Sequence, residues 1–146
     1  MSRPDLSIAM RLMDDQVRFE ATARDNAAVT LDYFPPFGEG KGYTSMELLL
    51  ISAASCLATT LVTMLRGRTQ RTISAVRATA DGMVREAHPK SFSHIEIVVE
   101  LDSPDAEEAE VARAFKVAEE WICPVLAMLR GNVEVHSRFV LNRGGD

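Results

Sequence analysis

The chain has 146 residues, 47% of them hydrophobic and 25% charged, with a formal net charge of -5. That length suits a single domain, residues 1–146, whose core needs no staples, and the acidic balance argues against nucleic acid or an anionic membrane as the main partner. The opening stretch MSRPDLSIAMR contains no apolar signal segment, so a cytoplasmic protein is expected, in which two cysteines point to thiol chemistry or plain burial rather than a structural disulfide.

Leu6, Ile8, Met10 and Leu12 alternate with polar or small residues, the pattern of a half-buried strand. Asp14 and Asp15 turn the chain, and Val17, Phe19, Ala21 and Ala23 continue the alternation as the second arm of a hairpin. Asp25 and Asn26 turn it again into a short strand holding Val29, Leu31 and Tyr33. The stretch FPPFGEGKGY, Phe34 to Tyr43, carries two prolines and three glycines and reads as a loop. Its aromatic residues suit either a connector over the core or the wall of a pocket.

Thr44 to Arg66, TSMELLLISAASCLATTLVTMLR, predicts the central element. Thr44 and Glu47 have the spacing of a capping box before an apolar run, and Arg66 and Gly67 suit a helix end. Apolar residues fall on every side, which predicts burial on most faces. The run nears the length of a membrane span, but Glu47 and several hydroxyls interrupt it, and the buried helix of a globular domain is expected instead.

Thr72 to Arg85 predicts a long strand, with Gly82 marking a possible bulge. A turn around His88 and Pro89 leads to a strand in which Ile95, Ile97, Val99 and Leu101 alternate with His94, Glu96, Val98 and Glu100. Ser103 followed by Pro104 predicts an N-cap and first helical residue, and Val111, Ala114, Phe115, Ala118 and Ile122 form the apolar stripe. Pro124 breaks this helix, a shorter one runs to Arg130, and Val133 to Leu141 form the last strand. Strands in runs joined by hairpins imply an α+β fold with antiparallel sheets against helices. No repeat, low-complexity tract or linker divides it.

Cys56 and Cys123 are the candidates for chemistry. A cysteine among small residues on a buried helix is commonly a small hydrophobe. Cys123, by contrast, precedes a proline, which pushes it out of helical geometry and into the N-cap of the short helix. Free amides and the helix dipole there favour a thiolate, so local physics makes Cys123 the more acidic thiol. His88, His94 and His136 have no metal-ligand spacing, and His94 and His136 fall on polar strand faces. Neither a metal nor a cofactor is expected. GEGKG lacks the spacing and the Lys-Ser/Thr of a phosphate loop.

The segments SMELLLISAASC and CPVLAMLRGNVEV, with the strand SFSHIEIVVEL and the order of elements, resemble the OsmC/Ohr family, and its YhfA-like branch in particular. The resemblance covers nearly the whole chain. It implies antiparallel sheets packed around a long cysteine-bearing helix, in the order βββ-α-ββ-α-α-β, and an intertwined homodimer. It further implies thiol-dependent reduction of organic hydroperoxides, with Cys56 as peroxidatic and Cys123 as resolving cysteine, and an external dithiol as reductant. Phe34 and Phe37 would line the pocket for an apolar tail. A Glu and an Arg assist in the family. Glu47 lies nine residues before Cys56, where the hydroperoxide-reducing branches have ten. Nine residues of unbroken helix turn by about 180° and rise about 13.5 Å, which would point Glu47 away from its own Cys56: either it only caps the helix, or it reaches an active site through the partner subunit, or the helix bends. Arg11, Arg18 and Arg24 are available as the cation, with Arg18 preferred. The competing reading keeps the fold without turnover, as a homodimeric redox-sensing or small-molecule-binding protein.

Overall fold

The computed structural model describes residues 2–143. These form two compact units, one reaching Leu49 and the other starting at Leu50.

The first unit is a three-stranded antiparallel sheet, β1 (Ala9–Leu12), β2 (Phe19–Thr22) and β3 (Val29–Leu31), paired in chain order. Its first hairpin closes on Asp14, whose Oδ1 accepts the amides of Gln16 at 3.0 Å and Arg18 at 3.1 Å. In the second, the Asn26 side chain donates to the Ala23 carbonyl at 2.8 Å. The strand expected from Leu6 begins only at Ala9, and Leu6, Ile8, Met10 and Leu12 are exposed rather than half-buried. A sheet face is buried only where another element packs on it, so alternation alone does not secure burial.

Asp32 builds the proline- and glycine-rich loop. Its carboxylate is 3% exposed and accepts the amides of Tyr33 at 2.8 Å, Lys41 at 3.0 Å and Glu39 at 3.2 Å. The Lys41 amide above all, with those of Tyr33 and Glu39 and the nearby Arg18 guanidinium, holds this carboxyl below the usual range against the opposing effect of burial. Gly38 passes so close to Asp32 and the Tyr33 backbone that a Cβ would collide with both.

The helix α1 (Ser45–Gly67) starts as the sequence predicts. Thr44 Oγ1 accepts the Glu47 amide at 3.1 Å, and Glu47 Oε1 accepts the Thr44 amide at 3.2 Å and its hydroxyl at 2.8 Å. Burial is confined to one stripe, Ala53, Ala54, Leu57, Leu61 and Leu65, and Ile51 is 49% exposed. Within a single chain the spacing of four residues marks one covered face, short of the burial on most faces that the sequence predicts. By length and composition α1 could cross a membrane.

In the second unit, β4 (Ala75–Val84), β5 (Phe92–Asp102) and β6 (Glu134–Asn142) form a sheet with β5 in the middle. Ile95, Ile97, Val99 and Leu101 point into the core and are at most 1% exposed. The register of β4 on β5 shifts between Met83 and Val84, beside the expected bulge, and the buried Phe92 ring occupies the space a Gly82 side chain would need. Leu50, Ile51 and Ala54 of α1 share a groove with Ala78 and Ala80 of β4, which places the helix on the core face of the sheet.

The last strand corrects the antiparallel expectation: β5 and β6 run parallel, from His94 opposite Glu134 to Asp102 opposite Asn142. The chain between them is a helical crossover, which returns a strand in the same direction, whereas a hairpin would reverse it. That crossover holds α2 (Glu108–Val117), one π-helical turn (Ala118–Ile122) and α3 (Pro124–Leu129). Glu107, not Ser103, is the N-cap of α2, and its amide donates to Glu110 at 3.3 Å. Ser103 instead caps the turn before the helix, accepting the Ala106 amide at 3.0 Å, while Asp105 is drawn off to the Thr72 amide at 2.9 Å. Arg71 ties the end of α1 to α2 by two bonds to Glu110, at 2.6 and 2.8 Å.

Candidate active site

The sequence places one thiol on each of two helices, and the fold brings them together. Cys56 lies midway along α1, half-buried, one turn after the fully buried Ala53. Its small neighbours let another element approach the helix closely. That element is the break between the π-helical turn and α3. The Cys123 amide reaches back to the Ala118 carbonyl at 2.9 Å, and Cys123 itself is extended, with φ -63° and ψ 109°. Proline at the first position of α3 imposes this geometry, as the sequence predicts. Arg130 pins the end of α3 to the π-helical turn, donating to the Glu119 and Glu120 carbonyls at 3.2 Å each.

Cys123 Sγ consequently sits 3.0 Å from Cys56 Sγ and donates its thiol proton to it. Both cysteines are free thiols. A disulfide requires the sulfurs to close from 3.0 Å to about 2.05 Å.

The local expectation that Cys123 is the more acidic thiol fails. Cys123 is only 2% exposed. Burial, first, and the hydrogen bond it donates to Cys56 push its thiol up to about 11, although the Leu126 and Val125 amides act in the opposite direction. Two amides at the start of a six-residue helix do not replace the solvation a thiolate loses here. At neutral pH Cys123 is a proton donor held against the other sulfur.

Glu47 and Arg18 belong to the first unit. Glu47 spends its carboxylate on the Thr44 cap. Arg18 is held by acidic groups, with Nη2 at 2.8 Å from Glu39 and 3.7 Å from Asp14, and Nε at 3.7 Å from Asp32. The Nε–H is buried and has no hydrogen-bond partner among the described residues. Of the alternatives, Arg11 pairs with Glu20 at 2.8 Å on the exposed sheet, while Arg24 occupies the hairpin turn with φ 56°. Phe37 helps line a cleft of about 410 Å³ with Met10, Val17, Phe19 and Tyr43, whereas Phe34 stacks on Tyr33 outside that lining. In the second unit, the chain neighbours of Cys123 include the exposed apolar side chains Trp121 and Ile122, with Met128 further along α3. Ile122 is the last residue of the apolar stripe expected along α2. The π-helical turn rotates it off that stripe, to 48% exposure.

Fold and site together define an α+β protein that presents a preassembled pair of thiols. A family model described as OsmC-like protein matches residues 38–138, and the chain belongs to that family. It is 32% identical to protein YhfA of Escherichia coli (strain K12) over 96 residues, 65% of this chain and 70% of that protein, in keeping with the expected branch. Among solved structures, a hypothetical protein from Aquifex aeolicus VF5 superposes with a TM-score of 0.81 at 25% identity, covering 96% of this chain and 98% of that one. A Legionella pneumophila structure described as an organic hydroperoxide resistance protein OsmC and predicted redox protein shares the fold, with a TM-score of 0.66 at 15% identity over 96% of this chain and 99% of that one. The α+β class and the order βββ-α-ββ-α-α-β are those of the observed chain.

Proposed function

We propose that this protein is a thiol-dependent peroxidase that reduces organic hydroperoxides through Cys56 and Cys123. The observation that carries the reading is the 3.0 Å contact between two free sulfurs from separate elements. Cys56, the more accessible sulfur, attacks the outer oxygen of the peroxide as a thiolate. The O–O bond breaks, the alcohol leaves with a proton, and Cys56 becomes a sulfenic acid. Cys123 then attacks that sulfur, water departs, and the two-electron oxidation is stored as a disulfide. An external dithiol reduces the bond and restores both thiols.

The role of Cys123 follows from its environment. A thiol raised to about 11 stays protonated while it waits, so it neither competes for peroxide nor repels the Cys56 thiolate. Its 3.0 Å separation from Cys56 supports condensation between the two. An organic rather than a wholly polar substrate is favoured by the exposed Trp121, Ile122 and Met128 around the Cys123 segment.

On the family resemblance, Arg18 and Glu47 are proposed as the assisting cation and carboxylate. The proposal also includes a homodimer and a cytoplasmic setting. The uncovered side of α1, including Ile51, supports association with a second copy.

Serine variants test the chemistry. Cys56→Ser is expected to abolish hydroperoxide consumption, whereas Cys123→Ser consumes about one equivalent and leaves a sulfenic acid that a dimedone probe traps. Normal turnover by Cys56→Ser refutes the proposal. A wild-type chain that oxidises once but is not reduced by dithiols acts as a redox sensor instead.

A further inference from the structure

The parallel register of β5 and β6 creates a second cluster that neither strand announces alone. His94 stands opposite Glu134, and Glu96 stands opposite His136. Residues two apart on a strand share a face, so the four side chains form a square on the outer face of the sheet, with each histidine diagonal to the other. The two imidazole rings lie with centroids 4.7 Å apart. His94 Nε2 is 3.1 Å from Glu96, and His136 Nε2 is 2.8 Å from Glu134. One donor atom from each of His94, Glu134 and His136 falls within 4.8 Å of the others.

We propose that this square binds a divalent transition-metal ion, zinc in particular, through His94, His136 and Glu134, with Glu96 or water completing the shell. Two imidazoles and a carboxylate are a donor set suited to zinc, whereas magnesium and calcium favour oxygen ligands alone. Tetrahedral zinc with bonds of about 2.1 Å needs donors roughly 3.4 Å apart. The present spread contracts by about 1.4 Å to reach it, and the exposed side chains of Glu134 and His136 can rotate that far.

The support beneath the cluster is rigid. Ile95 and Ile97, which alternate with the ligands on β5, are buried, and the ladder between β5 and β6 is continuous through the square. The surrounding charge also favours a cation. Asp81 of β4 stands opposite Glu96, and Arg138 lies two residues beyond His136, so three carboxylates on this part of the face meet one guanidinium. Ligation would join β6 to β5 at the first residues of the parallel pair. The cluster shares no residue with the thiol pair.

Calorimetric titration of the Cys56→Ser/Cys123→Ser chain with zinc chloride tests the site without competition from sulfur. At a pH of about 7.5, where histidine is largely neutral, one zinc per chain is expected. His136→Gln and His94→Gln, both on the outer face, should each weaken binding at least ten-fold, and magnesium chloride should give no saturable heat. In the wild-type chain, zinc should shift the ring proton resonances of His94 and His136 and leave those of His88 in place. Failure to bind zinc, equal binding of magnesium, or zinc binding unchanged by both glutamine substitutions overturns the proposal.

Discussion

The alkaline behaviour of Cys123 gives a quantitative test of how the fold treats its thiols. An unfolded chain ionises this group near the ordinary value of 9.0, whereas burial and the contact with Cys56 delay its ionisation in the folded protein to about 11. Between those values the unfolded state has lost the proton and the folded state retains it. The linkage slope is then negative, so stability present below pH 9 declines as pH rises through this window. A shift of about two units corresponds to about 3 kcal/mol in total. At a pH of about 7.5, such a thiol is ionised in roughly one molecule in three thousand. Urea unfolding of wild type and Cys123→Ser, measured from about pH 8 to pH 11.5 in a non-thiol reductant, isolates the behaviour of the thiol pair because titrating groups outside it cancel in the difference. The stability advantage of wild type over the variant should fall by about 3 kcal/mol across the window. Parallel stability curves would refute the assignment of Cys123 as a buried, protonated thiol.

Gly82→Val should lower stability by about 1–3 kcal/mol, because the new side chain must occupy the space of the buried Phe92 ring. Thermal unfolding of a chain of this size should register that loss as several degrees; a change below about one degree would show that the bulge absorbs it. Thr44→Ala should cost about 0.5–2 kcal/mol through the lost cap of α1, with Thr44→Ser recovering most of it. Equal stability of the alanine and serine variants would remove the capping account.

Local signals carried a large part of the architecture. The Thr44 and Glu47 spacing located the start of α1, Gly82 located the irregularity in β4, and Pro124 located the extended Cys123. Each is decided by a few neighbouring residues. Whatever depends on the partner across space was misread or invisible. The direction of β6 follows from the crossover that delivers it, not from its own alternation. Asp105 accepts the distant Thr72 amide, Ser103 caps the turn before the helix, and α2 takes its N-cap from Glu107. The acidity expected of Cys123 considered the helix end but not the burial that outweighs it. Within the candidate site, both cysteines were legible as chemistry, whereas their 3.0 Å contact required the folded chain. The His94 cluster did leave a trace, since His94 and Glu96 on one strand and Glu134 and His136 on another repeat the same two-residue spacing. Only the parallel register turns those pairs into a square.

The central claim is that the two sulfurs form one redox unit. Intact-mass analysis and peptide mapping after one equivalent of cumene hydroperoxide test it most directly. The expected result is a loss of two hydrogens per chain, a Cys56 to Cys123 cross-link within one chain, and complete reversal by a dithiol. Persistence of both thiols, or accumulation of sulfinic Cys56 with Cys123 unmodified, would contradict it.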